Sequence, residues 1–373
     1  MKDENIEKDE ILFQMDRRTF VKMSITSAGV LALGKDVFKF IPGTEAVKPK
    51  VTLSSAQNIT TVVEFSAAAS EAPANLAVDH HGNIYVSLAL TAEIKKVTPE
   101  GHVSTFATLP SPGTGFMTGI TFDRRGNLFV AFASFDSNHG IWRVSKDGRE
   151  KDLFAPLTIN GQPDGLPNDL KFDKRGNLYV SDFIGGKVWK IDRKGIISIW
   201  KKDPLLMGVV LPGLGPISNF PVGANGLAFD EDEENLYVAN TGLGRIVRIP
   251  VEGDGNAGDA VVFVEDEPLL RGADGINFDE DGKLYVAVNF QDRIVVVSRK
   301  GETATLAEGS PLQNPADVLL GIHTQKDNLY IANFAIFRLL GIVKETPRPA
   351  LLKMSVDKGN IAEHAWMRLE KRL

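Results

Sequence analysis

One short pattern, repeated six times, limits what this chain can fold into more than any other feature. Its copies include Asn75 to Ser87 (NLAVDHHGNIYVS), Gly119 to Ala131 (GITFDRRGNLFVA) and Asp169 to Ser181 (DLKFDKRGNLYVS), with others ending at Ala239, Ala287 and Ala332. The aligned aromatics are Tyr85, Phe129, Tyr179, Tyr237, Tyr285 and Tyr330, which include all five tyrosines and recur 44 to 58 residues apart. Each copy alternates apolar and polar residues, breaks at a turn of the D-x-x-G-N type and then resumes, which is the pattern of a β-hairpin. Period-2 alternation excludes helical and leucine-rich solenoids. Further strands follow each hairpin, such as Lys187 to Ile191 and Arg293 to Val297. Four strands per unit and six units predict an all-β fold, a six-bladed β-propeller of four-stranded antiparallel blades. The ring closes if the early segment Thr61 to Phe65 pairs with Ala350 to Met354, which also hides an otherwise free sheet edge.

Composition narrows the chemistry. The 373 residues contain no cysteine, so disulfides, thiolate metal sites and a thiol nucleophile are excluded, and any metal must be held by oxygen or imidazole. A net charge of −6 from 42 basic and 48 acidic residues, with no basic block outside the N-terminus, removes the source of nucleic-acid affinity. No nucleic-acid partner is expected.

Residues 1–46 read as an export signal. Asp16-Arg17-Arg18-Thr19-Phe20-Val21-Lys22 precedes an uncharged stretch from Met23 to Gly34, and Thr44-Glu45-Ala46 suits a small-residue cleavage site. Twelve uncharged residues make a helix of about 18 Å, short of the roughly 30 Å hydrocarbon core, so no stable membrane span is expected after processing. The adjacent arginines resemble the twin-arginine signal. The expectation is therefore an exported protein, periplasmic or extracellular, handled by the twin-arginine machinery, with residues 47–373 forming the propeller. Ile361, Ala365, Trp366, Leu369 and Leu373 give the tail after Asp357 the stripe of a short amphipathic helix.

The functional site is sought where the innermost strands begin, at one mouth of the central channel. The residue five before the turn aspartate is Ala74, Thr118, Asn168, Asn225 and Asp274 in blades one to five, and Asp317 or Val318 in blade six. Asn168, Asn225 and Asp274 would bring three oxygens to the axis, and calcium takes six to eight oxygen ligands completed by water. The alternative is that these residues only start strands through Asx-turns.

Leu166-Pro167-Asn168-Asp169, Ala224-Asn225-Gly226-Leu227-Ala228-Phe229 and Ala273-Asp274-Gly275 resemble the ligand segments of the regucalcin (senescence-marker protein)/gluconolactonase/luciferin-regenerating-enzyme-like propellers, with paraoxonase and diisopropylfluorophosphatase as more distant relatives. The resemblance covers roughly residues 58–345. It implies a calcium-dependent hydrolase of lactones or related esters, small molecules bound at the channel mouth and attacked by activated water. It further implies a fourth metal ligand, a glutamate of blade one. Ala74 stands at that register position, with Glu71 three residues upstream as the candidate. By the same analogy Asp274 is the general base, with Asp169 sharing the role. Thr118, Asn75 and His139 are candidates to contact substrate. Asp182, Asn240, Asn289 and Asn333, at the ends of second strands, read as turn-closing residues. The uncharged insertion Pro204 to Val222 is either a wall over the mouth or packed on a neighbouring blade. A propeller that binds a ligand or protein without catalysis is the second functional class.

Overall fold

The computed structural model describes residues 59–110, 115–134, 136–212 and 219–356. The expected signal segment and C-terminal helix lie outside them. The repeated turn is closed by its aspartate. In blade one, Asp79 accepts the backbone amides of His81 and Asn83 on one oxygen and the side-chain amide of Asn83 on the other. Asp123 and Asp173 repeat the arrangement with Asn127 and Asn177. The same carboxylate accepts the hydroxyl of the aligned tyrosine across the hairpin, in Tyr85–Asp79 (3.3 Å), Tyr179–Asp173 (3.4 Å) and Tyr285–Asp279 (3.3 Å). Burial, with the neighbouring aspartate, pushes these phenols well above their ordinary range, so they stay protonated donors.

The ring of that tyrosine then packs edge-on against a phenylalanine of the next blade. Tyr85–Phe122, Tyr179–Phe229 and Tyr237–Phe278 have centroids 4.8, 5.2 and 4.9 Å apart, and Phe129–Phe172 does the same in blade two at 4.9 Å. Each such pair contributes about 0.5–1.5 kcal/mol beyond the area it buries. Tyr85 and Tyr179 thus each lock their own hairpin and join it to the next blade.

Six four-stranded antiparallel sheets result. Their innermost strands are Pro73–Val78, Gly115–Phe122, Pro167–Phe172, Ala224–Phe229, Ala273–Phe278 and Pro315–Leu320. Blade six is completed from the other end of the ring: Ile59–Glu64 lies antiparallel to Ala350–Ser355, with Ile59 opposite Met354 and Glu64 opposite Ala350. The closure expected from sequence is present. The core lies between blades, as where Tyr85 and Ile94 of blade one pack with Leu128, Val130 and Trp142 of blade two. No helix among the described residues is long and apolar enough to cross a membrane.

The insertion between blades three and four is anchored. Leu206 is fully buried with Val188, Leu227 and Val247, Asn240 donates its side-chain amide to the carbonyls of Leu205 and Met207, and Val209–Val210 pairs with Pro221–Val222. Its described ends are therefore packed on the neighbouring blades, while residues 213–218 lie outside the described set.

Candidate functional site

Each innermost strand carries a β-bulge near its start. Pairing runs from Pro167 opposite Asp182 to Leu170 opposite Val180, and the same skip occurs between Ala224 and Leu227 and between Ala273 and Ile276. Asn168, Asn225 and Asp274 fall in these skips, where a bulge bends the strand and re-aims its side chains. In blades one, two and six the equivalent positions are Ala74, Thr118 and Ala316. The assignment for blade six is thus corrected: neither Asp317 nor Val318 belongs to this circle. Gly321 and Asn328 close the blade-six turn around a short 3₁₀ segment, His323–Gln325, whereas Asp79 and Asn83 close that of blade one. The longer turn shifts any count made back from Tyr330.

Glycine follows the ligand candidates because the strands converge there. A Cβ on Gly226 would lie 2.2 Å from the Asp274 carbonyl oxygen, and one on Gly275 would lie 2.0 Å from Asp317 Oδ1. The next residue in blades one, three and six is instead polar and ties its blade to the following one. Asn75 Oδ1 accepts the Ile120 amide (3.0 Å), Asp169 Oδ2 the Leu227 amide (2.8 Å) and Asp317 Oδ2 the Leu76 amide (2.9 Å). Asn75 and Asp169, expected from sequence at the substrate and at the proton transfer, therefore hold the ring together. Asp169 also accepts from Lys171 Nζ at 3.2 Å.

Asn225 is oriented by its neighbours. Its Nδ2 donates to Thr241 Oγ1 (3.0 Å), whose own proton goes to the Ala273 carbonyl (2.7 Å), so the amide oxygen is left over. That Oδ1 is buried without a hydrogen-bond partner, in a residue 3% exposed. An orphaned buried acceptor costs about 1–3 kcal/mol, so the site is incomplete as a purely protein structure. Asn168 is half-buried, and its side-chain amide makes no hydrogen bond to the described residues. Asp274 is half-buried. Burial, followed by the charges of Asp317 and Asp169, raises its carboxyl well above the usual range, against the lowering effect of the Asn225 and Asn289 amides. An oxygen donor set short of positive charge fits a hard divalent cation. Among the described residues no three His, Asp or Glu side chains group to hold a metal, so the amide oxygens would have to share the task with Asp274.

Asn289, read from sequence as turn-closing, belongs to this site. Its Nδ2 donates to Asp274 Oδ2 (3.2 Å) and to the Asn314 carbonyl (3.3 Å). Its counterparts Asp182, Asn240 and Asn333 bind loop backbone, through Leu166 and Gly185, Leu205 and Met207, and Gln313 and Arg348 respectively. The available signal was position: of Ala74, Thr118, Asn168, Asn225, Asp274 and Ala316, only Asp274 is an acid, and Asn289 directly follows the residue paired with Ala273.

The other candidates are engaged elsewhere. The Glu71 carboxylate pairs with Lys95 (3.2 Å) and accepts the Ser66 amide (2.8 Å). Thr118 Oγ1 lies within donating distance of the Pro167 (3.0 Å) and Ala131 (3.3 Å) carbonyls. His139 is 2% exposed; its Nδ1 accepts the Ser134 amide and its Nε2 contacts the Asp164 carbonyl, so the ring is held as the neutral Nε2–H tautomer.

The profile of the SMP-30/Gluconolactonase/LRE-like region matches residues 135–334. A lactonase drp35 of Staphylococcus haemolyticus is 29% identical over 187 residues, 49% of this chain and 53% of that protein, so the matched stretch spans about half the length of that relative. Among solved structures, a calcium-binding regucalcin from Agrobacterium tumefaciens superposes with a TM-score of 0.62 at 15% identity, covering 82% of this chain and 96% of that one. A gluconolactonase from Xanthomonas campestris superposes with a TM-score of 0.58 at 17% identity, covering 80% and 89%. At these identities the superpositions show the common fold.

Proposed function

Because this chain belongs to the SMP-30/gluconolactonase/LRE-like family, we propose that it is a calcium-dependent hydrolase of lactones or related esters, exported by the twin-arginine route with residues 1–46 as its signal. The observation that carries the reading is the unpartnered Asn225 Oδ1, set in line with Asn168 and Asp274 on successive bulges. Those three residues would hold the cation. When bound, a divalent cation supplies a Lewis acid that polarises the substrate carbonyl and offsets the negative charge developing on its oxygen.

The rest of the chemistry falls to the chain. Thr241 fixes the Asn225 amide by its nitrogen, which leaves the oxygen without a protein partner. Asn289 holds Asp274 Oδ2, and Asp274, as the one carboxylate of the trio, is the group that would accept the proton of an attacking water. Asp169, tied to Leu227 and Lys171, acts on Asp274 through its charge. Ala74 and Ala316 place no donor on the blade-six and blade-one side of the circle, which leaves that side to the substrate ring.

Calcium titration calorimetry on the chain from residue 47, alongside hydrolysis of a panel of lactones and aryl esters, tests this reading. Saturable heat, thermal stabilisation by calcium and turnover of at least one ester class are expected, and Asp274→Ala should abolish all three. Turnover unchanged by that substitution would place the chemistry elsewhere. The donor-free Ala74 and Ala316 favour one second reading, a propeller that binds its ligand without turning it over; calcium heat with no hydrolysis across the panel would select it. For export, Arg17→Lys with Arg18→Lys should leave the precursor in the cytoplasm, and normal processing of that variant would overturn the assignment.

A further inference from the structure

Blade six gives the circle of bulge positions only Ala316, yet two residues before it stands a side chain that reaches the site of blade five. Asn314 is 2% exposed and forms a reciprocal pair with Asn289: its Nδ2 donates to the Asn289 carbonyl (3.0 Å), and the Asn289 Nδ2 donates to the Asn314 carbonyl (3.3 Å). The other proton of the Asn289 amide goes to Asp274 Oδ2 (3.2 Å). Both protons of that amide are then committed, one to blade six and one to the site acid, which fixes the orientation of the Asn289 side chain. Asn314 is held in turn. Its Oδ1 accepts the Phe337 amide (3.2 Å) and lies 3.4 Å from Arg338 Nη1, while its own backbone amide donates to Asp292 Oδ1 (2.6 Å). Arg338 closes the circuit by donating to Asp292 Oδ2 (2.7 Å). The backbone of Asn314 is left-handed, with φ of +49°, a conformation that asparagine tolerates better than most residues. Phe337 also stacks on Phe290, the residue after Asn289, with centroids 5.8 Å apart. The short helix Ile336–Leu339 therefore secures this corner of the site twice, through Asn314 and through Phe290.

We propose that Asn314 is a positioning residue for Asp274: anchored by Asp292 and Arg338, it sets the Asn289 amide and, through that amide, the carboxylate. Blade six thus serves the site by orientation where it supplies no ligand. The relay itself stands on the contacts above; its value to the site rests on the reading of Asp274 in the preceding subsection.

In chelator, the side-chain amide resonances of Asn289, identified by their loss in Asn289→Ala, report both of its bonds. They should move in Asp274→Asn and in Asn314→Gly, a substitution that suits the left-handed backbone and removes only the side chain. They should also move in Arg338→Met, one link further from Asn289, and return towards their wild-type positions in Arg338→Lys, which keeps the ion pair with Asp292. Resonances unmoved by Asn314→Gly, or by Arg338→Met where the first variant does not fold, would overturn the relay. By calorimetry, Asn289→Ala and Asn314→Gly should each weaken calcium binding about tenfold, and together no more than the stronger of the two, because they break one chain of contacts. A double variant weakened about a hundredfold, the product of independent effects, or an Asn314→Gly variant with wild-type affinity, would show that Asn314 does not act through Asn289 and would overturn the proposal. A wild type that binds no calcium would remove the reading of Asp274 as a ligand, while the resonances in chelator would still decide the relay.

Discussion

His139 shows how a residue type suggestive of chemistry is spent on architecture. Its imidazole is buried, and burial holds its pKa below the ordinary 6.5 even though the Asp164 and Ser134 backbone groups and nearby carboxylates pull the other way. Above pH 6.5 neither the folded nor the unfolded chain protonates this ring, and its contribution to stability is complete. As pH falls below 6.5 the unfolded chain takes up the proton first, so stability declines until the folded-state pKa is passed. The wild type should therefore lose more stability between pH 7 and pH 5 than His139→Gln, measured by denaturant midpoints; parallel pH curves would remove the assignment. Asn289 is the opposite case, with turn-like sequence and site-like placement. Asn289→Ala should weaken calcium binding roughly tenfold, about the effect of losing one hydrogen bond to a charged group, and should also lower the melting midpoint in chelator, because the buried Asn314 carbonyl loses a donor. The Asn168, Asn225 and Asp274 positions were legible because they keep phase with the turn aspartates. The destinations of Glu71 and Asp169 were not, because the partners that claim them, Lys95 and the Leu227 amide, are remote in sequence.

At the scale of the element, the inner-strand bulge sets the register of the site, and a glycine permits it. Gly226→Ala would drive a methyl group to within 2.2 Å of the Asp274 carbonyl oxygen, which belongs to the next blade's backbone and cannot swing aside. Overpacking of this kind costs about 1–3 kcal/mol. The variant should show that loss by chemical unfolding and also weaker calcium binding, since the displaced backbone carries Asp274; unchanged binding would separate the bulge from the site. The hairpins could be read directly from alternation and turn chemistry. The blade-six register could not, because a longer turn replaced the aspartate that serves as the ruler elsewhere.

For the whole molecule, the ring is shut by main-chain pairing between Ile59–Glu64 and Ala350–Ser355 instead of by a covalent link, in a chain without cysteine. The six-fold repeat made both the ring and its closure legible before any coordinates. A chain starting at residue 65 should expose the edge of Ala350–Ser355 and associate in solution, detected as a shift to larger species by light scattering; a monodisperse, equally heat-stable product would show that the closing strand is dispensable. This clasp also orders events in time. The strand that seals the last blade leaves the ribosome first and meets its mate only when translation is almost over. For most of synthesis the nascent chain therefore keeps one adhesive border waiting, and a transporter that accepts only finished folds would have to wait for it as well.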